Sequence, residues 1–266
     1  MSALSASERD RYARHILLKE IGGPGQQALK RARVAIVGAG GLGAPAALYL
    51  AAAGVGHVRL IDHDQVSLSN LQRQVLYKSD EVGALKVESA RKALGLLNPH
   101  VAIEARAEKL TEDNASELLL GADLILDGTD DFTVRFAVNR AAHVLGVPLI
   151  SGAVGRWDGQ LATFKSGLTK SKPPAERLPC YRCLVPDVPP AIEPCSAVGV
   201  VGALTGVIGS LMALEAIKEI ADAGESLAGR LMLFDGLSLE TRLVRLPRDP
   251  ACVVCGVGAS NALDIG

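Results

Sequence analysis

The stretch Val34-Ala35-Ile36-Val37-Gly38-Ala39-Gly40-Gly41-Leu42-Gly43 decides the fold of this chain. Its four leading apolar residues read as a strand buried on both faces. The alanine-rich run that follows, to about Ala53, reads as a helix. Glycines at Gly38, Gly40 and Gly43 lie between them, and strand, glycine turn and helix together are the context a dinucleotide fingerprint requires. The first glycine permits a tight turn, and the second lets the backbone approach a phosphate. The helix N-terminus offers unpaired N–H groups and a partial positive charge. A second strand is predicted at His57–Ile61. Asp62 ends it, 19 residues beyond Gly43, where a carboxylate can hydrogen-bond ribose hydroxyls. This geometry is shared by NAD, FAD and ATP sites, so it leaves the nucleotide open.

The same alternation runs outward from the turn. Helix is predicted over residues 7–31, broken at Gly22-Gly23-Pro24-Gly25. Further helices are expected over 84–97, 111–120 and 132–145. Strands are expected at 101–105, at 124–126 and from Pro148. The strand at 124–126 runs into Asp127-Gly128-Thr129-Asp130-Asp131. Strands alternating with helices over 33–151 predict an α/β, Rossmann-like, doubly wound and mainly parallel sheet. After residue 151 the rhythm changes. Segments 161–165 and 230–246 read as hairpin strands, which predicts an antiparallel extension. Residues 166–194 are rich in Pro, Lys and Ser and read as a long mobile loop. One domain is expected: a helical arm at 1–32, a nucleotide-binding half at 33–151, and an extension at 152–266.

Composition narrows the function. Hydrophobic residues are 48% of the 266 and aromatics only 3%, so the core must be mostly Ala, Val, Leu and Ile. A net charge of -1 gives no electrostatic case for nucleic acid or an anionic membrane. Residues 197–214 carry no charge and contain Gly202-x-x-x-Gly206, which imitates a membrane span. That segment is dominated by small residues and runs into Glu215, Lys218 and Glu219, so a buried core or subunit-interface helix is expected instead. The polar N-terminus shows no leader, and a cytoplasmic location follows.

Four of the five cysteines form two C-x-x-C pairs, Cys180/Cys183 and Cys252/Cys255. Two such pairs can present four thiolates to one tetrahedral zinc ion in a closed structural site. Two redox pairs or disulfides are the alternatives. The remaining Cys195 precedes the apolar helix, where a helix N-terminus would lower a thiol's pKa. Inert packing is the other reading of it.

Beyond Asp62 comes Asp64-Gln65-Val66-Ser67-Leu68-Ser69-Asn70-Leu71-Gln72-Arg73-Gln74. With the glycine turn, the Ser-Asn-Leu-x-Arg-Gln segment, Lys86, the Thr129-Asp130 strand end and the paired cysteines, the chain resembles the ubiquitin-activating-enzyme-like adenylyltransferases. The resemblance runs from Arg11 to Cys255. It implies ATP-dependent adenylylation of the C-terminal glycine carboxylate of a ubiquitin-like sulfur carrier, in molybdopterin biosynthesis or, alternatively, the thiazole pathway. ATP would be held by Gly38, Gly40, Gly41, Gly43, Asp62, Asp64, Ser69, Asn70, Arg73, Lys86 and Asp130. Asp130 would also position Mg²⁺. Arg14 would reach the γ-phosphate of a neighbouring subunit, making a homodimer. The four paired cysteines would bind structural zinc, and Cys195 matches a position that forms covalent links in some relatives. The family usually has Asn where Asp131 stands, so that residue departs from the pattern.

The chemistry explains the cation cluster. Attack of a carboxylate on the α-phosphate builds negative charge on phosphate oxygens, and electrostatic stabilisation answers it. Hydride transfer needs no such cluster, which disfavours an NAD-dependent oxidoreductase. A non-catalytic binding module is a further alternative. The chain ends soon after Cys255, so no rhodanese sulfurtransferase domain is expected. A separate sulfurtransferase or cysteine desulfurase would supply sulfur.

Overall fold

The computed structural model describes residues 3–188 and 199–256. Its centre is one eight-stranded sheet in the order β3-β2-β1-β4-β5-β6-β7-β8. Strands β1 (Arg33–Val37), β2 (His57–Ile61), β3 (Ala102–Arg106), β4 (Leu124–Asp127) and β5 (Leu149–Val154) are parallel. Strands β6 (Asp158–Phe164), β7 (Arg230–Asp235) and β8 (Glu240–Arg245) continue antiparallel from β5. The expected parallel half and antiparallel extension are therefore one continuous surface.

Both faces are covered, as a parallel sheet requires. One face packs under α4 (Gly43–Ala53), α5 (Lys86–Leu97) and α9 (Gly202–Ala221) through a core including Ile36, Leu50, Leu60, Leu94 and Ile208. The other lies under α6 (Ala115–Leu119), α7 (Phe132–Leu145) and α8 (Tyr181–Leu184), around Leu119, Ile125, Val138 and Leu149. Small alanines let α4 sit flush against the sheet. Helix α4 ends on Gly54 in the left-handed region, at φ 81°.

Helix α9 is the segment that imitated a membrane span. It packs against α4 and β5, burying Leu204, Ile208, Met212 and Ala216. Among the described residues, no helix is long and apolar enough to cross a membrane.

The N-terminal arm corrects one expectation. Gly22-Gly23-Pro24-Gly25 opens helix α3 (Gly22–Arg31) instead of breaking one; the break falls between α2 (Ala13–Ile16), which follows α1 (Ala6–Arg11), and Gly22. Proline is tolerated there because the first helical turn has no use for its missing N–H. The described part of the segment expected as a loop makes hydrogen bonds within itself and to α7. Leu178 N–H donates to Thr169 Oγ1 at 3.0 Å, and Tyr181 N–H donates to Asn139 Oδ1 at 2.7 Å.

The arm docks through Glu8, which is 4% exposed. Its carboxylate accepts from Lys30 Nζ at 2.8 Å and from Ser5 N–H at 2.7 Å. Burial resists its charge, but the Lys30 ammonium and the Ser5 donors outweigh burial and hold the carboxyl at about 2, below its usual 4.5. A depressed carboxyl stabilises the fold above its unfolded pKa and loses that contribution as pH falls toward the folded value. Glu8→Gln is therefore expected to be less stable than the parent at neutral pH. The gap should close between pH 4.5 and about 2, as followed by urea unfolding across pH.

Candidate active site

The carboxyl ends of β1, β2 and β4 open into a cleft of about 820 Å³, where open α/β sheets bind ligands. The glycine turn forms its floor. Gly38 holds φ +86°, a region side chains avoid. A Cβ on Gly43 would stand 1.8 Å from the Gly38 carbonyl oxygen, so only glycine lets α4 start this close to β1.

Two side chains brace the turn. Ala39 N–H donates to Asp62 Oδ2 at 2.8 Å, and Tyr77 Oη donates to the Ala39 carbonyl at 2.6 Å. Asp62 Oδ1 accepts from Asp64 N–H at 2.8 Å. Asp62 is thus both a cleft residue and a buttress, and each of its oxygens keeps a lone pair for another donor.

The cleft brings together most of the residues singled out in the sequence. Gly38, Gly40, Gly41, Asp62, Asp64, Asn70, Arg73, Lys86, Asp130 and Asp131 all line it. Lys86 is 4% exposed, and its ammonium donates to Asp64 Oδ2 at 2.7 Å. Burial works against the charge on Asp64, yet the hydrogen bond and charge of Lys86, with His63, together outweigh it and lower the carboxyl's pKa. Ser69 is exposed, shares a hydrogen bond with Ser67 Oγ at 3.1 Å and does not line the cleft. Arg14 is exposed on α2, and the cleft of its own chain does not include it. Cys195 lies outside the described residues.

The two acidic residues after Thr129 divide their work. Asp131 is the N-cap of α7, accepting from Thr133 N–H at 2.7 Å and from Val134 N–H at 3.4 Å. Its departure from the family pattern thus places a carboxylate where a helix favours one. Asp130 is left exposed at the cleft, with no side-chain hydrogen bond among the described residues.

A buried network beneath this loop carried no sequence signal. Asp127, 1% exposed, accepts from Thr129 Oγ1 and Ser151 Oγ, each at 2.8 Å. Arg135, 5% exposed, lies 3.6 Å from Asp127. It donates to Ser151 Oγ at 3.2 Å, to the Gly152 carbonyl at 2.8 Å and to the Thr129 carbonyl. Burial disfavours its charge, but Asp127, Tyr181 and Asp130 together more than restore it, so the guanidinium stays protonated. The network fixes the backbone that presents Asp130.

On the same side of the sheet as α7, the four paired cysteines converge. Cys180 Sγ lies 3.5 Å from Cys252 Sγ and Cys183 Sγ 3.4 Å from Cys255 Sγ; all four sulfurs lie within 4.8 Å of one another. This joins the two motifs into one cluster able to hold a metal ion. The two pairs are therefore not separate in space. The cluster adjoins the cleft through Tyr181, which follows Cys180, and the Arg135 guanidinium stands 5.8 Å from the Tyr181 ring centroid.

The ThiF family model matches residues 12–254. The chain belongs to the ThiF family. A family relative from Thermus thermophilus, named sulfur carrier protein adenylyltransferase, is 47% identical over 94% of this chain and 91% of its own. The molybdopterin-synthase adenylyltransferase of Salmonella typhimurium is 44% identical, over 96% of this chain and all of its own. The SAMP-activating enzyme E1 of Haloferax volcanii is 41% identical, over 98% and 94%. A crystal structure of Escherichia coli MccB with MccA-N7isoASN shares the fold, with a TM-score of 0.80 at 23% identity over 95% of this chain and 76% of that one.

Asp131 now has a defined contribution. Asp131→Ala should lower stability by about 1 kcal/mol, whereas Asp131→Asn, which also caps helices, should stay within about 0.5 kcal/mol of the parent. Denaturant unfolding of the two variants side by side measures the difference.

Proposed function

We propose that this protein is a carrier-protein adenylyltransferase, joining AMP from ATP to the C-terminal glycine carboxylate of a ubiquitin-like sulfur carrier. The observation that carries this is the composition of one cleft. A helix N-terminus, Arg73 and Lys86 line it together with Asp130, a carboxylate with no side-chain hydrogen bond among the described residues. Family membership and the names of the relatives support the same reaction.

The geometry suggests how the residues divide the work. Asp62, at the end of β2, meets the ribose. The turn from Gly38 to Gly43 receives the phosphates at the start of α4. Arg73, Lys86 and Asn70 stand beyond it to take the remaining phosphate charge. Lys86 would leave Asp64 for a phosphate oxygen. Asp130 would hold Mg²⁺, which prefers one or two carboxylates with phosphate oxygens and water, and which when bound neutralises charge on the polyphosphate. The carrier's carboxylate oxygen attacks the α-phosphorus; the bond to the bridging oxygen breaks, and pyrophosphate leaves with that electron pair. Binding geometry and charge stabilisation do most of the catalysis.

The cysteine cluster fits zinc. A tetrahedral ion with Zn–S bonds of about 2.3 Å places its sulfurs about 3.8 Å apart. The closest contacts between the two motifs, 3.4 and 3.5 Å, approach that spacing. Four sulfurs leave no position for water, so the metal's role is to tether the segment around α8 to residues 252–255.

The pathway reading is molybdopterin biosynthesis, which the name of the Salmonella relative supports; the thiazole pathway carrier is the second. A separate sulfurtransferase or cysteine desulfurase would then convert the adenylate to a thiocarboxylate, and on that route Cys195 need not act. The active form is a homodimer in the cytoplasm, with Arg14 completing the partner's site. Exposed Leu17 and Leu18, directly after α2, support a protein partner there.

The test is ATP–pyrophosphate exchange with purified chain and candidate carriers ending in Gly-Gly. Exchange should require a carrier. Asp130→Asn should lower it roughly 10²-fold or more. No exchange with any carrier, together with measurable NAD binding, would overturn the assignment.

Metal analysis should find one zinc per chain. Cys183→Ser or strong chelation should release it and lower thermal stability without abolishing ATP binding.

A further inference from the structure

Asn139, on α7, is 1% exposed and only half satisfied. Its Oδ1 accepts from Tyr181 N–H at 2.7 Å, the bond that seats α8 against α7. Its Nδ2 is sealed from solvent and has no hydrogen-bond partner. Because the other end of the amide accepts from an N–H, that end is the oxygen and the idle atom is the NH₂, a donor. Native structures rarely leave a buried donor idle, because it has given up water and gained no partner.

The place of this amide indicates the acceptor it fits. Tyr181 directly follows Cys180, so the bond to Tyr181 N–H holds the Asn139 amide against the peptide that joins those two residues. Nδ2 stands one amide width from that bond. The carbonyls on either side of it are already engaged. Cys183 N–H donates to that of Cys180 and Val185 N–H to that of Tyr181, each at 2.9 Å. The groups packed around the Tyr181 ring are the rings of Phe136 and Phe164, at 6.0 and 5.8 Å between centroids, and the Arg135 guanidinium. Rings accept weakly and a guanidinium not at all. The acceptor left on that peptide is Cys180 Sγ. Its residue is 0% exposed, and among the described residues it meets Cys252 Sγ at 3.5 Å and receives no N–H.

Charge explains why this sulfur needs a donor. A zinc ion held by four thiolates leaves net negative charge in a buried cluster, and burying charge is costly unless N–H groups face it. Thiolates are far better acceptors than thiols, because hydrogen bonds to a charged atom are the stronger ones. Cys183 already has such a donor, Asp249 N–H at 3.4 Å from its Sγ. Cys180, the more deeply buried, has none.

We infer that Asn139 is a positioning residue for the metal site, donating from Nδ2 to Cys180 Sγ in the metal-loaded protein. The inference rests on the zinc reading given above. One side chain then serves both parts of the C-x-x-C turn: its oxygen holds the backbone of α8 and its nitrogen holds the thiolate.

The test uses the whole chain loaded with zinc, or with Co²⁺, whose sulfur-to-metal charge-transfer band reports electron density on the thiolates. Asn139→Asp keeps an oxygen for Tyr181 N–H and loses the donor. Asn139→Leu keeps the volume, adds no charge and loses both groups. In each, zinc affinity measured by competition with a chromophoric chelator should fall roughly 10- to 100-fold, and the Co²⁺ band should move to lower energy. In the parent loaded with ¹¹³Cd, the metal nucleus should show scalar coupling to an Asn139 side-chain proton.

An asparagine that only seated α8 would lower the unfolding temperature of Asn139→Leu, leave the Co²⁺ band where the parent has it, and show no coupling to ¹¹³Cd. Parent-like zinc affinity, an unmoved band, or absence of that coupling overturns the inference. Should neither variant fold, the coupling in the parent decides. A parent chain that holds no metal marks failure of the zinc reading, a different result from a metal-binding parent indifferent to Asn139.

Discussion

The contact between Gly43 and the Gly38 carbonyl is the constraint on which the cleft depends. Any side chain at Gly43 would meet that oxygen at 1.8 Å, so α4 can begin directly above the end of β1 only because that atom is missing. The consequences spread from there. Helix α4 lies close to the sheet, α9 packs against α4, and the turn residues Gly40, Gly41 and Leu42 that lead into α4 line the cleft. Asp62 and Tyr77 then hold Ala39 from both sides, one accepting its N–H and the other donating to its carbonyl. The turn is a rigid surface before any nucleotide arrives, and such preorganisation is the main way a protein lowers the barrier to phosphoryl chemistry.

The sheet and the cleft were largely legible in the sequence, for a physical reason. Continuous apolar runs such as Leu124-Ile125-Leu126 can sit only in strands covered on both faces, and glycine spacing at a strand end is a steric requirement written in residue types. What the sequence did not expose were partnerships between residues far apart. Asp127, Arg135 and Ser151 look like an ordinary strand end, a helix cation and a strand hydroxyl. Their joint role depends on β4 and β5 lying side by side, which brings Ser151 against Asp127. Asp131 invited concern as a departure from pattern; its place one residue before α7 makes it a cap. The glycines at 22–25 misled because a turn signal and a helix start use the same residue types.

The cysteine cluster shows the two kinds of information working together. Spacing within each C-x-x-C pair is local and was readable. That the pairs share one site depends on the segment around α8 folding back to residues 252–255. This return is held by Asn139, Thr169 and Tyr181 as well as by sulfur. Arg135 links that region to the loop carrying Asp130, since it donates to the Thr129 carbonyl and stands over the Tyr181 ring. The cluster is therefore mechanically continuous with the cleft although it does not face it.

The ion pair between Lys86 and Asp64 has a consequence for what the cleft will accept. A lysine buried with a carboxylate at 2.7 Å carries its own internal competitor. A stray chloride or a single phosphate must displace that carboxylate to reach the ammonium, and has little to offer in exchange. A polyanion that engages the helix terminus and Arg73 at the same moment can meet the cost of separating the pair. On the proposed function, the resting salt bridge would act as a threshold on ligand charge, favouring long phosphate chains over the abundant small anions around them.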